Sequence, residues 1–225
     1  MTREGNIISS ILEDLTNVHE NLLSLSNDIW SSIDHNNTEN LEKGYQLKKE
    51  FNRLLDEFEQ NKDSICALVS QFTGVQIDRQ PKIVYYNENS ENQRIIKELD
   101  KDEPHEITED FTFKRPTAFI FNNCAYTNLH SWVDLFVQFV SCMAKINPSK
   151  LKEILYLSKF ISKQNRKYYS DDKNDLRKPV RIMNDFYVET NLSANEFAKR
   201  IIEIINHFGM KKSDITIYLW QDRNA

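Results

Sequence analysis

The sequence predicts an α+β fold: an N-terminal antiparallel helical hairpin, coiled-coil-like, over residues 1–74, then a small mixed α+β domain over residues 75–225 with a short sheet covered by helices. Three observations predict it. Apolar residues recur at 3–4–3–4 spacing through the N-terminal third of the chain, and one polar segment, Asp34-His35-Asn36-Asn37, interrupts them. From Phe186 onward a strand pattern, a capped amphipathic helix and a second strand pattern follow one another.

Ile8, Ile11, Leu15, Val18, Leu22, Leu25 and Ile29 form the seam of the first helix, widened by Leu12 and Ile33. A spacing averaging about 3.5 residues keeps one line of a helix facing a partner helix. Turn-forming residues then end it. Thr38 is the expected N-cap of a second helix from about Glu39 to Phe72, stopped by Gly74. Its seam reads Leu47, Phe51, Leu54, Phe58, Ile65, Leu68 and Phe72, with Leu55 and Val69 beside it and Gly44 and Asn61 as defects. Two amphipathic helices joined by a short polar turn fold back on each other. Such a hairpin buries one face of each helix, so the rest of the stripe covers its own domain's core or associates with a second copy or another protein. Asn61 at a seam position would specify register.

Lys82–Tyr86 reads as a strand, Gln93–Leu99 as a short helix, and Asp100–Asp110 as an acidic loop. Thr117–Phe121 is a second strand, turned at Asn122-Asn123 toward a return strand at Ala125-Tyr126. Asn128 would cap a helix whose apolar residues, from Trp132 to Met143, cover nearly the whole circumference, as in a buried central helix. A further helix is expected from Pro148 to about Ile161. Phe186–Thr190 alternates as a strand. Ser193 and Glu196 make a capping box for a helix ending at Gly209, and Ile215–Leu219 closes a β-α-β unit.

Composition excludes several functions. Glycine numbers only four residues in 225, none within a motif's reach of another, which argues against phosphate-cradling loops. Cys66, Cys124 and Cys142 lie far apart in apolar stretches, so neither a disulfide framework nor a zinc site is expected. The five histidines lack metal-ligand spacing; no metal or other cofactor is expected. The N-terminus lacks a secretory pattern, and the longest apolar region, Leu129–Ile146, is interrupted by polar residues. A cytoplasmic protein without membrane contact is the expectation.

No catalytic triad or metalloprotease pattern occurs. A metal-dependent nuclease would place carboxylates on strand ends, usually with a lysine two residues on; the strand-borne Glu189 has Asn191 there, and Glu109, Asp110 and Lys114 are misspaced. One charge feature stands out. Residues 159–181 hold eight basic and three acidic residues, a local +5 in a chain of net charge −5, interleaved with Phe160, Tyr168 and Tyr169. Lys163, Arg166, Lys167, Arg177, Lys178 and Arg181 are therefore candidate phosphate contacts. The alternative is a solvated loop balancing the acidic stretch Glu98–Asp110.

The elements Phe111–Pro116, Ser131-Trp132, Tyr169-Ser170, Leu176–Pro179 and Tyr187–Asn195 together resemble an uncharacterised bacterial domain found in proteins associated with restriction or anti-phage defence. The resemblance covers about Phe111 to Trp220 and supplies no catalytic residues. It implies a bacterial defence or DNA-acting assembly. The expectation is a non-catalytic interaction module, self-associating or docking a partner through the N-terminal helices, with nucleic acid as a further partner. The alternatives are a divergent metal-dependent nuclease and a protein-binding regulator or inhibitor.

Overall fold

A computed structural model describes residues 3–74, 90–160 and 166–220, and the chain divides into two compact units, Met1–Arg79 and Gln80–Ala225. The strand expected at Lys82–Tyr86 lies outside the described residues, as does Lys163.

The first unit is the helical hairpin: α1 (Arg3–Ser32) and α2 (Thr38–Thr73), in contact along their length. Asn37, rather than Thr38, caps α2. Its backbone is extended and its side-chain oxygen accepts from the Asn40 N–H at 3.1 Å, one of the donors a helix start leaves unpaired. Gly74 ends α2 in the left-handed conformation (φ 67°), returning its N–H to the Ser70 carbonyl.

The hairpin's inner seam keeps Leu15, Leu22, Ile29, Phe51 and Phe58 of the expected seam and shifts the alternate positions by one residue. On α1 it combines Leu15, Leu22 and Ile29 with Leu12, His19, Ser26 and Ile33; on α2 it runs Gly44, Lys48, Phe51, Leu55, Phe58, Lys62 and Cys66, all buried or half-buried. Gly44 is thus no defect. A Cβ there would stand 3.2 Å from Ile33 Cγ1 and overlap its Cδ1, so the missing side chain leaves room for Ile33, just past the end of α1, to lie on α2.

Among its described residues the second unit holds four further α-helices and seven strands. After α3 (Ser90–Leu99), a four-stranded antiparallel sheet has the order β1-β7-β2-β3, built from β1 (Pro104–Glu106), β2 (Pro116–Phe121), β3 (Cys124–Tyr126) and β7 (Ile215–Leu219). The acidic loop expected at Asp100–Asp110 therefore contributes a strand, His105 pairing with Ile217. The β2–β3 turn is the expected one, Asn122 and Asn123 both at positive φ. A three-stranded antiparallel sheet, β4-β6-β5, joins β4 (Tyr169–Ser170), β5 (Pro179–Met183) and β6 (Phe186–Glu189). So β6 and β7, read as one β-α-β unit, belong to separate sheets, and two small sheets replace the single one expected. Part of the basic segment, read as a solvated loop, is sheet.

Helix α4 (Trp132–Ile146) is buried from Leu135 to Met143 without a break and contacts β2, β5, α5 (Pro148–Glu153) and α6 (Ala194–Phe208). Ser131, not Asn128, caps it, accepting from the Asp134 N–H at 3.1 Å. After α5, which stops earlier than expected, two short 3₁₀ turns follow, Ile154–Tyr156 and Ser158–Phe160. The core around α4 joins both sheets and α6 through Phe119, Phe136, Phe139, Phe186 and Phe197, all fully buried. Glu196 accepts from the Ser193 N–H at 3.1 Å, completing the predicted cap of α6, and Gly209 ends that helix at φ 73°.

Candidate functional site

Two places have the chemistry for recognition: the outer face of the hairpin and the basic segment around the three-stranded sheet.

The hairpin buries polar groups and exposes apolar ones. At its inner seam, Glu59 Oε1 lies 3.2 Å from His19 Nδ1 and accepts from Lys62 Nζ at 2.7 Å. Lys48 Nζ donates to Ser26 Oγ at 2.7 Å and to Asn27 Oδ1 at 3.1 Å. His19, Ser26 and Lys62 are all buried. Outside the seam, α1 leaves Ile11, Val18 and Leu25 exposed, while α2 exposes Leu47, Leu54, Ile65, Leu68 and Phe72. Leu68 is 66% open and Phe72 91%. Of the expected association seam, Ile8, Leu15, Leu22 and Ile29 are half-buried, and Ile11, Val18 and Leu25 form its open side.

Both open lines lie on one side of the hairpin. On α1, Ile11, Val18 and Leu25 each precede by one residue the inner-seam positions Leu12, His19 and Ser26. On α2, Leu47, Leu54 and Asn61 likewise precede Lys48, Leu55 and Lys62. One residue is a 100° turn in a fixed sense about the helix axis. Because the helices are antiparallel, equal offsets in that sense bring both lines to the same face. From Ser64 to Gly74 α2 carries no charged residue although most of that stretch is exposed, the opposite of what a solvated face requires.

The basic segment is partly engaged. Arg166 Nη2 donates to the Asn191 carbonyl at 3.0 Å, with the guanidinium 5.2 Å from the Tyr168 ring centroid. Arg200 lies over the same ring at 4.1 Å and pairs with Glu203 Oε2 at 2.6 Å. Burial raises the Glu203 carboxyl above its ordinary value, and Arg200 opposes that rise. Lys167 Nζ donates to Asp175 Oδ2 at 2.7 Å. Lys178 is half-buried. Arg177 and Arg181 are exposed, the first just before β5 and the second on it, where β5 is an edge of its sheet. Arg181 donates to the Asn184 side chain.

Glu189, the one strand-borne carboxylate singled out in the sequence, is buried and bonded to the backbone. Its Oε2 accepts from the Arg177 N–H at 2.7 Å, and its Oε1 from the Lys178 N–H at 3.0 Å and the Asn191 N–H at 2.8 Å. Two of these bonds tie the end of β6 to the segment entering β5, and the third, from Asn191, closes the turn after β6. Among the described residues no three His, Cys, Asp or Glu side chains are grouped to hold a metal ion, and no helix is long and apolar enough to cross a membrane.

Compared with protein-family models, curated proteins and solved structures, the chain matches none. The functional reading therefore starts from the geometry above. Its strongest feature is the group of apolar side chains left exposed on a hairpin whose interior mixes Leu, Ile and Phe with His19, Ser26, Lys48 and Lys62. Sequence periodicity placed Ile11, Val18 and Leu25 in one association seam with Ile8, Leu15, Leu22 and Ile29, without separating the exposed residues from the half-buried ones. A second, overlapping 3–4 repeat one position away was the signal that could have separated the two.

Proposed function

We propose that this protein is a non-catalytic interaction module whose N-terminal hairpin associates with protein through its exposed apolar face. The single observation that carries this reading is the set of Leu, Ile, Val and Phe side chains left open on one side of both helices, beside an inner seam in which His19, Ser26, Lys48 and Lys62 interrupt the apolar residues. Isolated apolar residues on a surface need no explanation, but their recurrence on one side of two adjoining helices is a mark of an interaction surface. The resemblance of residues 111–220 to a defence-associated bacterial domain points to a defence or DNA-acting assembly as the setting. Nucleic-acid contact is the second reading, favoured by the exposure of Arg177 and Arg181 on either side of Lys178 at a sheet edge.

The test is the paired substitution Leu54→Lys with Leu68→Lys, both outside the inner seam. Association predicts that the full chain either exceeds monomer mass in light scattering or, as a monomer, binds an apolar dye. The paired variant abolishes whichever occurs and lowers the unfolding free energy of the monomer by less than about 1 kcal/mol. Unchanged mass and dye binding, or a loss of several kcal/mol in a chain that stays monomeric, makes the face ordinary internal packing and ends this reading.

A further inference from the structure

We infer that the occupant of the hairpin face is a second copy of the same chain, the two hairpins forming a four-helix bundle about a two-fold axis passing near Asn61. This rests on the face being an association surface and adds what covers it and in which orientation.

The area is of the right size. The open parts of the eight large apolar side chains on this face expose on the order of 900 Å² per chain, against ~800 Å² per partner in a standard interface. The face is also arranged for a copy of itself. On α2 the open line steps through Leu54, Asn61 and Leu68, so the lone polar member has a leucine seven residues to either side. On α1, Ile11 and Leu25 stand seven residues either side of Val18. The cross-helix pairs Ile33–Gly44 and His19–Glu59 set the level of one helix against the other. They bring Val18 opposite the helical turn that holds Asn61. Both lines are therefore centred at the same height on the hairpin. A two-fold axis lying in the plane of the interface, at right angles to the helices and at that height, lays Leu54 of one chain over Leu68 of the other, and Asn61 over Asn61.

Such an isologous contact is what a two-fold dimer requires. The exposed Asn61 fits its centre, because an asparagine amide both donates and accepts and can pair with its own copy. A single polar residue in an apolar seam fixes register and oligomer state at some cost in stability. The uncharged stretch Ser64–Gly74 meets residues 48–58 of the other chain, including Glu50, Arg53 and Glu57, which pair with one another within their own helix, so no like charge is opposed. Packing helices along two adjacent heptad seams, one inside the hairpin and one between hairpins, is how antiparallel bundles of four close.

The experiment is cysteine cross-linking in the full chain under mild oxidation, with the parental protein as the baseline for its own three cysteines, combined with solution mass. Asn61→Cys should give a disulfide-linked dimer. Leu54→Cys and Leu68→Cys should each give little alone and cross-link when the two variants are mixed. A dimer in which Leu54→Cys links to itself overturns the antiparallel two-fold and means a parallel pairing. A monomeric mass at every concentration, with dye binding retained on the face, overturns the second copy as occupant and leaves the docking role to a different protein. Loss of both mass increase and dye binding removes the association reading itself, so the two failures are distinguishable.

Discussion

Asp110 shows how one exposed carboxylate can join distant parts of a fold. Its Oδ1 accepts from the Asn195 side-chain amide at 2.7 Å, and from Thr112 through the hydroxyl at 2.7 Å and the N–H at 2.9 Å. Asn195 in turn accepts from the Phe111 N–H at 2.8 Å, so the first turn of α6 is tied to the segment entering β2. The Asn195 amide, with Thr112, holds the Asp110 carboxyl down to about 2. A folded-state value below the ordinary ~3.9 means stability that is fully present above about pH 4 and is lost as pH falls through 2. Asp110→Asn should flatten that part of the acid limb in urea titrations between pH 4 and 2, and identical limbs for both proteins would discount the tie. Glu189 makes a similar point. Its type and strand position were readable in the sequence, but the three N–H donors that make it a structural bracket come from residues 177, 178 and 191 and needed the fold.

At the scale of elements, the hairpin joins legible parts into a less legible whole. Both helices, the turn and the Gly74 stop follow from periodicity and turn chemistry. The inner seam does not, because each helix carries two apolar lines about 100° apart and either can face the partner. Gly44 decides the choice near the turn. With no side chain it lets Ile33 pack onto the α2 backbone, bringing the line containing Lys48 and Leu55 inward. Gly44→Val adds a β-branched side chain into this contact and should destabilise the hairpin by about 1–3 kcal/mol through overpacking, measured by far-ultraviolet dichroism in urea. A variant as stable as the parent would show that the close approach is not set there. The short strands failed for another reason. β1 and β4 have three and two residues, too few for a period-2 pattern, and exist only because β7 and β6 pair with them.

At the scale of the whole molecule, the chain comprises two units with opposite surface logic. The second unit contains its own core, from Ile107 to Ile217, with α4 at its centre. A chain beginning at Gln80 should therefore unfold in one cooperative transition with a midpoint close to that of the same unit in the full protein. Loss of cooperativity, seen as dye binding and missing near-ultraviolet signal, would show that the core depends on the hairpin. The hairpin has no comparable core: among its described residues the buried hydrophobic ones are Leu55 and Cys66. Two long helices with so little internal apolar burial gain most from a further partner surface, since helix stability in proteins comes mainly from packing an apolar face.

The sequence by itself determined the α+β class, the paired N-terminal helices, the buried central helix, the capped C-terminal helix and its glycine stop, because each depends on periodicity or on residues within a few positions of one another. The tertiary structure decided what depends on contacts distant in the chain. It divided the strands between two sheets, gave the Glu189 carboxylate to three backbone N–H groups, and engaged Arg166 and Lys167 within the fold. It also turned the line containing Val18, Leu54 and Leu68 outward. A helical repeat specifies which residues share a line, but only the packing of one helix against another decides which line is covered.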